Sequence, residues 1–333
     1  MLHTVEVAYI RARLSSNSPP EDFVKSRRLC PRVRSLLFSS RGGGSHEVLD
    51  HLSFIFHLKL LRVLDLGQIS LGSAFPTELS LLVELRYLAV LGWFKDNIPS
   101  SLEKLSKLET LFVTTYYSDV GLLLFLDTLM KMQKLRHLHV CGALIDLRLA
   151  NDNIEYSSIL YSLDTFSTVK LYVGQSMEKV MGKFPNIREL KCCLQQSEES
   201  SDDSNMIVAM DSLSQLESLK LVLGKVASHL IEFHLPLNIK KLTVEDFSFR
   251  TIATIAKLPN LQVLKLLRQA DGANEWDMEG MDEEEFFPEL KFLKLEDLSM
   301  VTWRGSGLHF PSLEKLVLEG CKELEELPSC LWE

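Results

Sequence analysis

His137, His139 and Cys141 alternate within the short apolar stretch HLHVC, and in a strand that alternation puts all three side chains on one face. Two imidazoles and a thiol so placed have the chemistry of a zinc site, which needs a fourth ligand and carboxylates behind the first ones. Neither is evident. Equivalent places in the neighbouring stretches hold Phe112 and Lys170, so no metal is expected. A second grouping is cationic: Lys170, Lys191, Lys220, Lys265 and Lys294 each stand between two apolar residues of a recurring hexapeptide. A third, Arg27, Arg28, Arg32 and Arg34, crowds the N-terminal region. Catalysis finds no such grouping, with no G-x-S-x-G turn and no Cys/His pair that can be placed in one pocket. The run Arg41-Gly42-Gly43-Gly44-Ser45 lacks the lysine and helix start of a phosphate loop and reads as a loop between repeats. Neither enzymatic activity nor a cofactor is expected.

The element that must position these residues is the hexapeptide L-x-x-L-x-L, which recurs twelve times. It runs from VRSLLF at Val33 through LRVLDL at Leu61, LRYLAV at Leu85, LETLFV at Leu108, LRHLHV at Leu135 and FSTVKL at Phe166. It continues as IRELKC at Ile187, LESLKL at Leu216, IKKLTV at Ile239, LQVLKL at Leu261, LKFLKL at Leu290 and LEKLVL at Leu313. Successive starts lie 21 to 31 residues apart, in or a little above the leucine-rich-repeat period. Each unit is too short for an amphipathic helix, but its last four residues put two apolar side chains on one face of a strand and one variable side chain between them on the other. A single such strand cannot bury its apolar face, whereas a parallel stack can. The expected fold is therefore an α/β leucine-rich-repeat solenoid, a horseshoe with about twelve parallel strands on the concave face and irregular or short helical convex segments. Prolines at 185, 259, 288 and 311 lead into strands, where a missing N–H costs nothing.

Read repeat by repeat, the variable column is Leu37, Asp65, Ala89, Phe112, His139, Lys170, Lys191, Lys220, Thr243, Lys265, Lys294 and Val317. Strands about 4.8 Å apart would make the lysines a ladder of like charges, joined from the adjacent column by Lys241 and Lys315 and partly offset by Glu189, Glu245, Glu296 and Glu319. Long lysine stems also serve as solvated filler. The functional alternative is a docking face for an acidic surface.

Composition narrows the setting. The chain has 333 residues, 46% hydrophobic and 24% charged, with a formal charge of -9, so the charge signature of a nucleic-acid binder is missing. The most apolar run, Leu122 to Leu126, is far too short to span a bilayer, and no signal peptide is visible at Met1. Six cysteines without a C-x-x-C pair read as reduced thiols, and no Asn-x-Ser/Thr sequon occurs. These features point to a cytoplasmic protein, with nuclear or peripheral membrane placement left open.

Residues 1–32 do not fit the repeat and are expected to form an N-terminal flank, an incomplete cap or the edge of a preceding domain, ahead of a leucine-rich-repeat domain over 33–333. Val5, Val7 and Tyr9 alternate there as in a strand, and residues 1–41 hold eight basic against three acidic side chains. Two acidic stretches, Gln195 to Asn205 and Ala270 to Glu285, read as solvated loops. Trp276 and Trp303 read as packing or loop anchors. The chain stops at Leu331-Trp332-Glu333 directly after a repeat, which suggests a truncated end or one seated against another element.

Phe75-Pro76-Thr77-Glu78-Leu79 to Leu85-Arg86-Tyr87-Leu88, and Ile98-Pro99-Ser100-Ser101-Leu102 to Leu108-Glu109-Thr110-Leu111, resemble the I-P-x-x-I…L-x-x-L-R-Y-L signature of plant intracellular immune receptors. Phe287-Pro288-Glu289-Leu290, Trp303, Phe310-Pro311-Ser312-Leu313, Cys321 and Leu327-Pro328 look like the C-terminal run of that family. Arg27-Arg28-Leu29 and Val33-Arg34-Ser35-Leu36-Leu37 are similar to the repeat entry of its coiled-coil subclass, especially the late-blight-resistance-like proteins of nightshades. Receptors of this kind carry a coiled coil and a nucleotide-binding switch domain before the repeats. Here the phosphate loop and the Met-His-Asp triplet are missing, so no nucleotide is expected to bind.

The resemblance implies a recognition module that senses a pathogen effector or a guarded host protein and restrains the switch domain. Arg27, Arg28, Arg32 and Arg34 would then contact that domain. Phe112, His137, His139, Lys170, Lys191, Lys220, Lys265 and Lys294 would form the ligand face. The alternative is a substrate-recognition subunit of a ubiquitin ligase, for which residues 1–32 are too short to supply an F-box.

Overall fold

The computed structural model describes residues 7–10, 33–38, 52–73, 75–94, 99–116, 125–142, 145–146, 159–173, 181–196, 206–224, 231–278, 286–328 and 331. Two compact units divide at Thr168/Val169.

In the first unit the ladder runs in chain order through β1 (Val7–Ile10), β2 (Ser35–Phe38), β3 (Val63–Ser70), β4 (Tyr87–Gly92), β5 (Thr110–Thr115) and β6 (His137–Cys141). The two-residue β7 (Ile145–Asp146) stands off this ladder, and the N-terminal end of β8 (Thr165–Val173) pairs with β6. Along this ladder the pairings are parallel, and the register sets like positions of the hexapeptide side by side: Leu36, Leu64, Leu88 and Leu111 are direct neighbours in succession, then Leu138. All five are fully buried. Strand β1 belongs to the same ladder, with Val7 opposite Ser35 and Ala8 opposite Leu36, so the flank over 1–32 contributes a strand in repeat register.

Among the described residues the return segments are short 3-10 turns at Leu52–His57, Thr77–Leu81 and Ser100–Lys104 and one helix, α1 (Phe125–Lys131). Pro76 and Pro99 precede the second and third turns with extended backbone, where a proline loses no hydrogen bond. Leu79 and Leu102 drop from them into the core, and Leu82 and Leu105 follow. Burying these leucines behind the strand rows closes each layer, at roughly 1.5–3 kcal/mol for each side chain removed from water.

The second unit repeats the plan through β9 (Glu189–Gln196), β11 (Ser218–Val222), β13 (Lys241–Phe247), β14 (Val263–Gln269), β16 (Phe292–Glu296) and β18 (Lys315–Glu319). Its return side carries the irregular and short helical segments expected and adds strands to them. Two extra parallel pairs form there, β10 (Met206–Ala209) with β12 (Ile231–His234), and β15 (Glu275–Asp277) with β17 (Thr302–Arg304). Helix α2 (Ile252–Ala256) and 3-10 turns at Phe249–Thr251 and Gly307–His309 complete it.

The β15–β17 pair corrects the solvated-loop reading for residues 275–278, while residues 270–274 are loop as expected. Trp276 lies opposite Trp303 in register and stacks on it at 4.9 Å between ring centroids, with Phe249 on its other side at 5.3 Å. Both indoles are buried, as is Met278. One large aromatic stacked on another gains enough apolar burial to order a strand whose flanking residues are acidic. Residues 197–205 and 279–285 of the acidic stretches lie outside the described residues.

The sixth hexapeptide also needs correction. Thr165 pairs with His137 and Phe166 with Leu138, so the unit begins at Leu163, three residues earlier than the sequence pattern suggests. Thr168 then adopts φ +69°, a left-handed conformation that a β-branched residue takes only under strain. That bulge lets Val169 regain the core while Thr168 turns out of it. Among the described residues no helix is long and apolar enough to cross a membrane.

Candidate recognition faces

Because strand side chains alternate, each buried leucine row leaves a row of changed residues on the opposite face. In the first unit the central row is Leu37, Asp65, Ala89, Phe112 and His139, each opposite the next. The row before it is Ser35, Val63, Tyr87, Thr110, His137 and Thr165. Aromatic rings dominate: Phe112 lies flat against His139 at 4.2 Å with 10° between planes, and Tyr87 meets Phe112 at 5.8 Å and 43°. His137 turns its Nδ1 to the Thr165 hydroxyl at 3.1 Å. The two imidazoles therefore have neighbours other than a metal. Among the described residues no group of three His, Cys, Asp or Glu side chains is placed to hold one.

Lys170 does not belong to the column in which the sequence places it. The residue following Phe166, and so facing His139, is Ser167. Its hydroxyl accepts the Val140 N–H at 3.2 Å and donates to the Leu138 carbonyl at 3.3 Å, while the Thr168 hydroxyl donates to the Val140 carbonyl at 2.6 Å. Side-chain hydroxyls thus replace backbone partners at this rung, which satisfies buried peptide groups that the bulge would otherwise strand. Lys170, displaced by the inserted residue, lies with its ammonium 5.1 Å from the Tyr172 ring centroid.

In the second unit the column is as expected, with Lys191 opposite Lys220, Lys220 opposite Thr243, Thr243 opposite Lys265, Lys265 opposite Lys294 and Lys294 opposite Val317. It is not a uniform ladder of repelling charges. Lys220 pairs with Glu245 at 3.1 Å, and Lys294 pairs with both Glu296 at 2.5 Å and Glu319 at 2.8 Å. Hydrogen bonds to Glu296 and Glu319 hold the Lys294 ammonium above its ordinary range. Lys191 and Lys265 have no ion pair among the described residues. They stand three strands apart, about 14 Å. Lys315 lies over the Phe292 ring at 5.8 Å, and Lys241 is exposed.

Burial pushes the Cys193 thiol up, and pushes that of Cys192 up further, so neither is a reactive nucleophile. Arg34 is exposed beside β2. Arg27, Arg28 and Arg32 lie outside the described residues. Sequence reasoning passed over Tyr87 and Ser167: the first stands one column away from the row being read, and the second is hidden by the apolar Phe166, which fits the pattern in two registers.

Comparison with known proteins fits this architecture. The family model described as leucine-rich repeat region matches residues 32–325. A late blight resistance protein of Solanum demissum is 33% identical over 304 residues, covering 89% of this chain and 22% of that protein. A putative late blight resistance protein homologue of the same species is 35% identical over 294 residues, covering 86% of this chain and 35% of that protein. The chain thus spans between about a fifth and about a third of the length of these relatives. A solved internalin from Listeria monocytogenes aligns over 90% of this chain and 81% of that one at 12% identity and a TM-score of 0.49, too loose a likeness to bear on function.

Proposed function

We propose that this chain, which belongs to the leucine-rich-repeat family, is the non-enzymatic protein-recognition module of a plant immune receptor, working in the cytoplasm. The observation that carries this reading is the division of labour within each strand. Buried leucines repeat almost unchanged from rung to rung, while the residues between them change from aromatic to basic and, Ala89 apart, are partly exposed. A surface free to vary over a core that does not is what recognition of a protein partner requires. Similarity to late blight resistance proteins over most of the chain supports the immune setting.

In this reading the strand faces sense a pathogen effector or a guarded host protein. Phe112, His137 and His139 supply stacking area, and Lys191, Lys220, Lys265 and Lys294 supply charge, with Lys170 beside them. The basic N-terminal cluster, Arg27, Arg28, Arg32 and Arg34, engages the nucleotide-binding domain of the full-length receptor and restrains it until the faces are occupied. Reversing the four charges to glutamate and co-purifying the chain with that domain supplied in trans tests the assignment. Association should fall sharply, and undiminished co-purification would overturn it.

A further inference from the structure

The ladder of the second unit has an open edge at β18. Among the described residues this strand pairs with β16 and with no strand beyond it. Lys315 donates its N–H to the Lys291 carbonyl and the Glu319 carbonyl accepts the Asp297 N–H, so residues 315, 317 and 319 turn their peptide groups toward β16. Leu316 and Leu318, between them, turn theirs outward, where an edge strand offers donors and acceptors to another chain. Their side chains are uncovered as well. Leu293 and Leu295, at the same places on β16, are fully buried, whereas Leu316 is half-buried and Leu318 is 39% exposed.

The sequence of this edge, Lys-Leu-Val-Leu-Glu, is complementary to its own reverse. Laid antiparallel on a second copy about Val317, it sets Lys315 opposite Glu319 of that copy, Leu316 opposite Leu318, and Val317 opposite its own counterpart. The hydrogen-bond phase agrees. An antiparallel pair alternates residues that exchange both backbone bonds with residues that exchange none. The outward groups of Leu316 and Leu318 fall on the bonded pairs, and the Lys315 to Glu319 pairs fall on the others, where side chains come closest. Sliding the copies by two residues keeps the phase but sets Lys315 or Glu319 opposite valine. Both charges are available. Lys315 is exposed and has no ion pair among the described residues, its ammonium lying over Phe292. The Glu319 side chain is 63% exposed, and Lys294 keeps Glu296 at 2.5 Å when Glu319 turns away. Gly320, at φ +69° with no room for a Cβ beside Asp297, ends the strand just past the last charge.

We propose that β18 pairs antiparallel with β18 of a second copy of this chain, joining the two through one continuous sheet. The leucines of the two edges meet across the seam, and the contact is the same from either side, so it closes at two copies. Its two-fold axis stands perpendicular to the joined sheet, which turns the lysine rows of both copies the same way. The inference uses a strand edge rather than a strand face, and it stands or falls independently of the recognition reading.

Sedimentation velocity of the full 333-residue chain, from about 1 µM to about 1 mM, should show a reversible equilibrium between monomer and dimer. Lys315→Glu and Glu319→Lys should each weaken dimerisation roughly tenfold or more, since each sets like charges opposite one another at both ends of the seam. Mixed in equal amounts, the two variants should associate again, because the acids of one then meet the lysines of the other. Val317→Cys in an oxidising glutathione buffer should link two chains by a disulfide at that position, located by peptide mass, whereas Thr243→Cys, three strands inward, should not link to its counterpart. A chain that stays monomeric throughout, growth beyond the dimer, charge variants that fail to associate when mixed, or no disulfide at position 317 would each overturn the assignment.

Discussion

Each unit builds the same kind of leucine interior, and the two carry different residues on their strand faces. Beneath the strands Leu111 in the first unit and Leu264 in the second occupy the same place in their repeats, and both are fully buried. Above them the first unit packs rings, with Tyr87 tilted against Phe112 and Phe112 stacked on His139, whereas the second sets lysines among glutamates. The difference shows that this fold separates stability from specificity by strand alternation alone. Residues on one face can change in charge and size because the adjacent residues of the same strand already carry the burial.

The sharpest way to break that comparison is to strike the shared interior. Leu111→Ala and Leu264→Ala should each cost about 2–5 kcal/mol, and by similar amounts, since each removes the same atoms from an equivalent layer. Urea unfolding followed by amide exchange in each unit would measure both, and a large loss at one site with none at the other would refute the equivalence of the two layers. Next in size is the β6–β8 rung. Ser167→Ala removes the acceptor of the Val140 N–H and should cost about 1–3 kcal/mol, read as lost exchange protection at Val140.

Within the lysine face the contrast is between paired and unpaired amines. Only a neutral amine reacts with an acylating reagent, and Lys294 is held charged by Glu296 and Glu319, so between pH 7 and 10 it should label roughly tenfold or more slowly than Lys265. Equal labelling in mass spectra would remove the neutralised pair from the description. The smallest effect concerns acid. Burial pushes Asp271 up, but hydrogen bonds from Ser248, Gln269 and the Ala273 and Phe249 amides outweigh it and hold the carboxyl below its usual 3.8. Asp271 therefore binds a proton more readily in the unfolded chain, and its contribution is present above about pH 4 and lost as the pH falls through the lower folded value. Protection of the Ala273 amide should decline in that window while Val140, held by hydroxyls, keeps its own.

Much of this was legible from residue spacing. Eleven of the twelve hexapeptides lie in the expected register, and both tryptophans are packing anchors. The sixth was misread for a definite reason: Phe166, Val169 and Leu171 satisfy the apolar pattern fully, while the register in use puts the polar Thr168 at its last position and recovers by a bulge. A pattern of residue types has no means of signalling an inserted residue that turns away from the core. The strand at Glu275–Asp277 was concealed by the acids around Trp276, since a charge-rich window hides one large side chain whose partner is Trp303.

Leucine spacing dictated the parallel strands, their order and the residues that each strand exposes, because a period of two within the strand and one of about two dozen along the chain leave a single way to bury the leucines. Which exposed residues act together was settled in three dimensions. Phe112 and His139 are 27 residues apart and stack, and Lys294 finds Glu319 from 25 residues away while Lys265 finds no acid among the described residues. Ring orientation and charge pairing depend on distances across strands, and those distances exist only once the repeats are stacked.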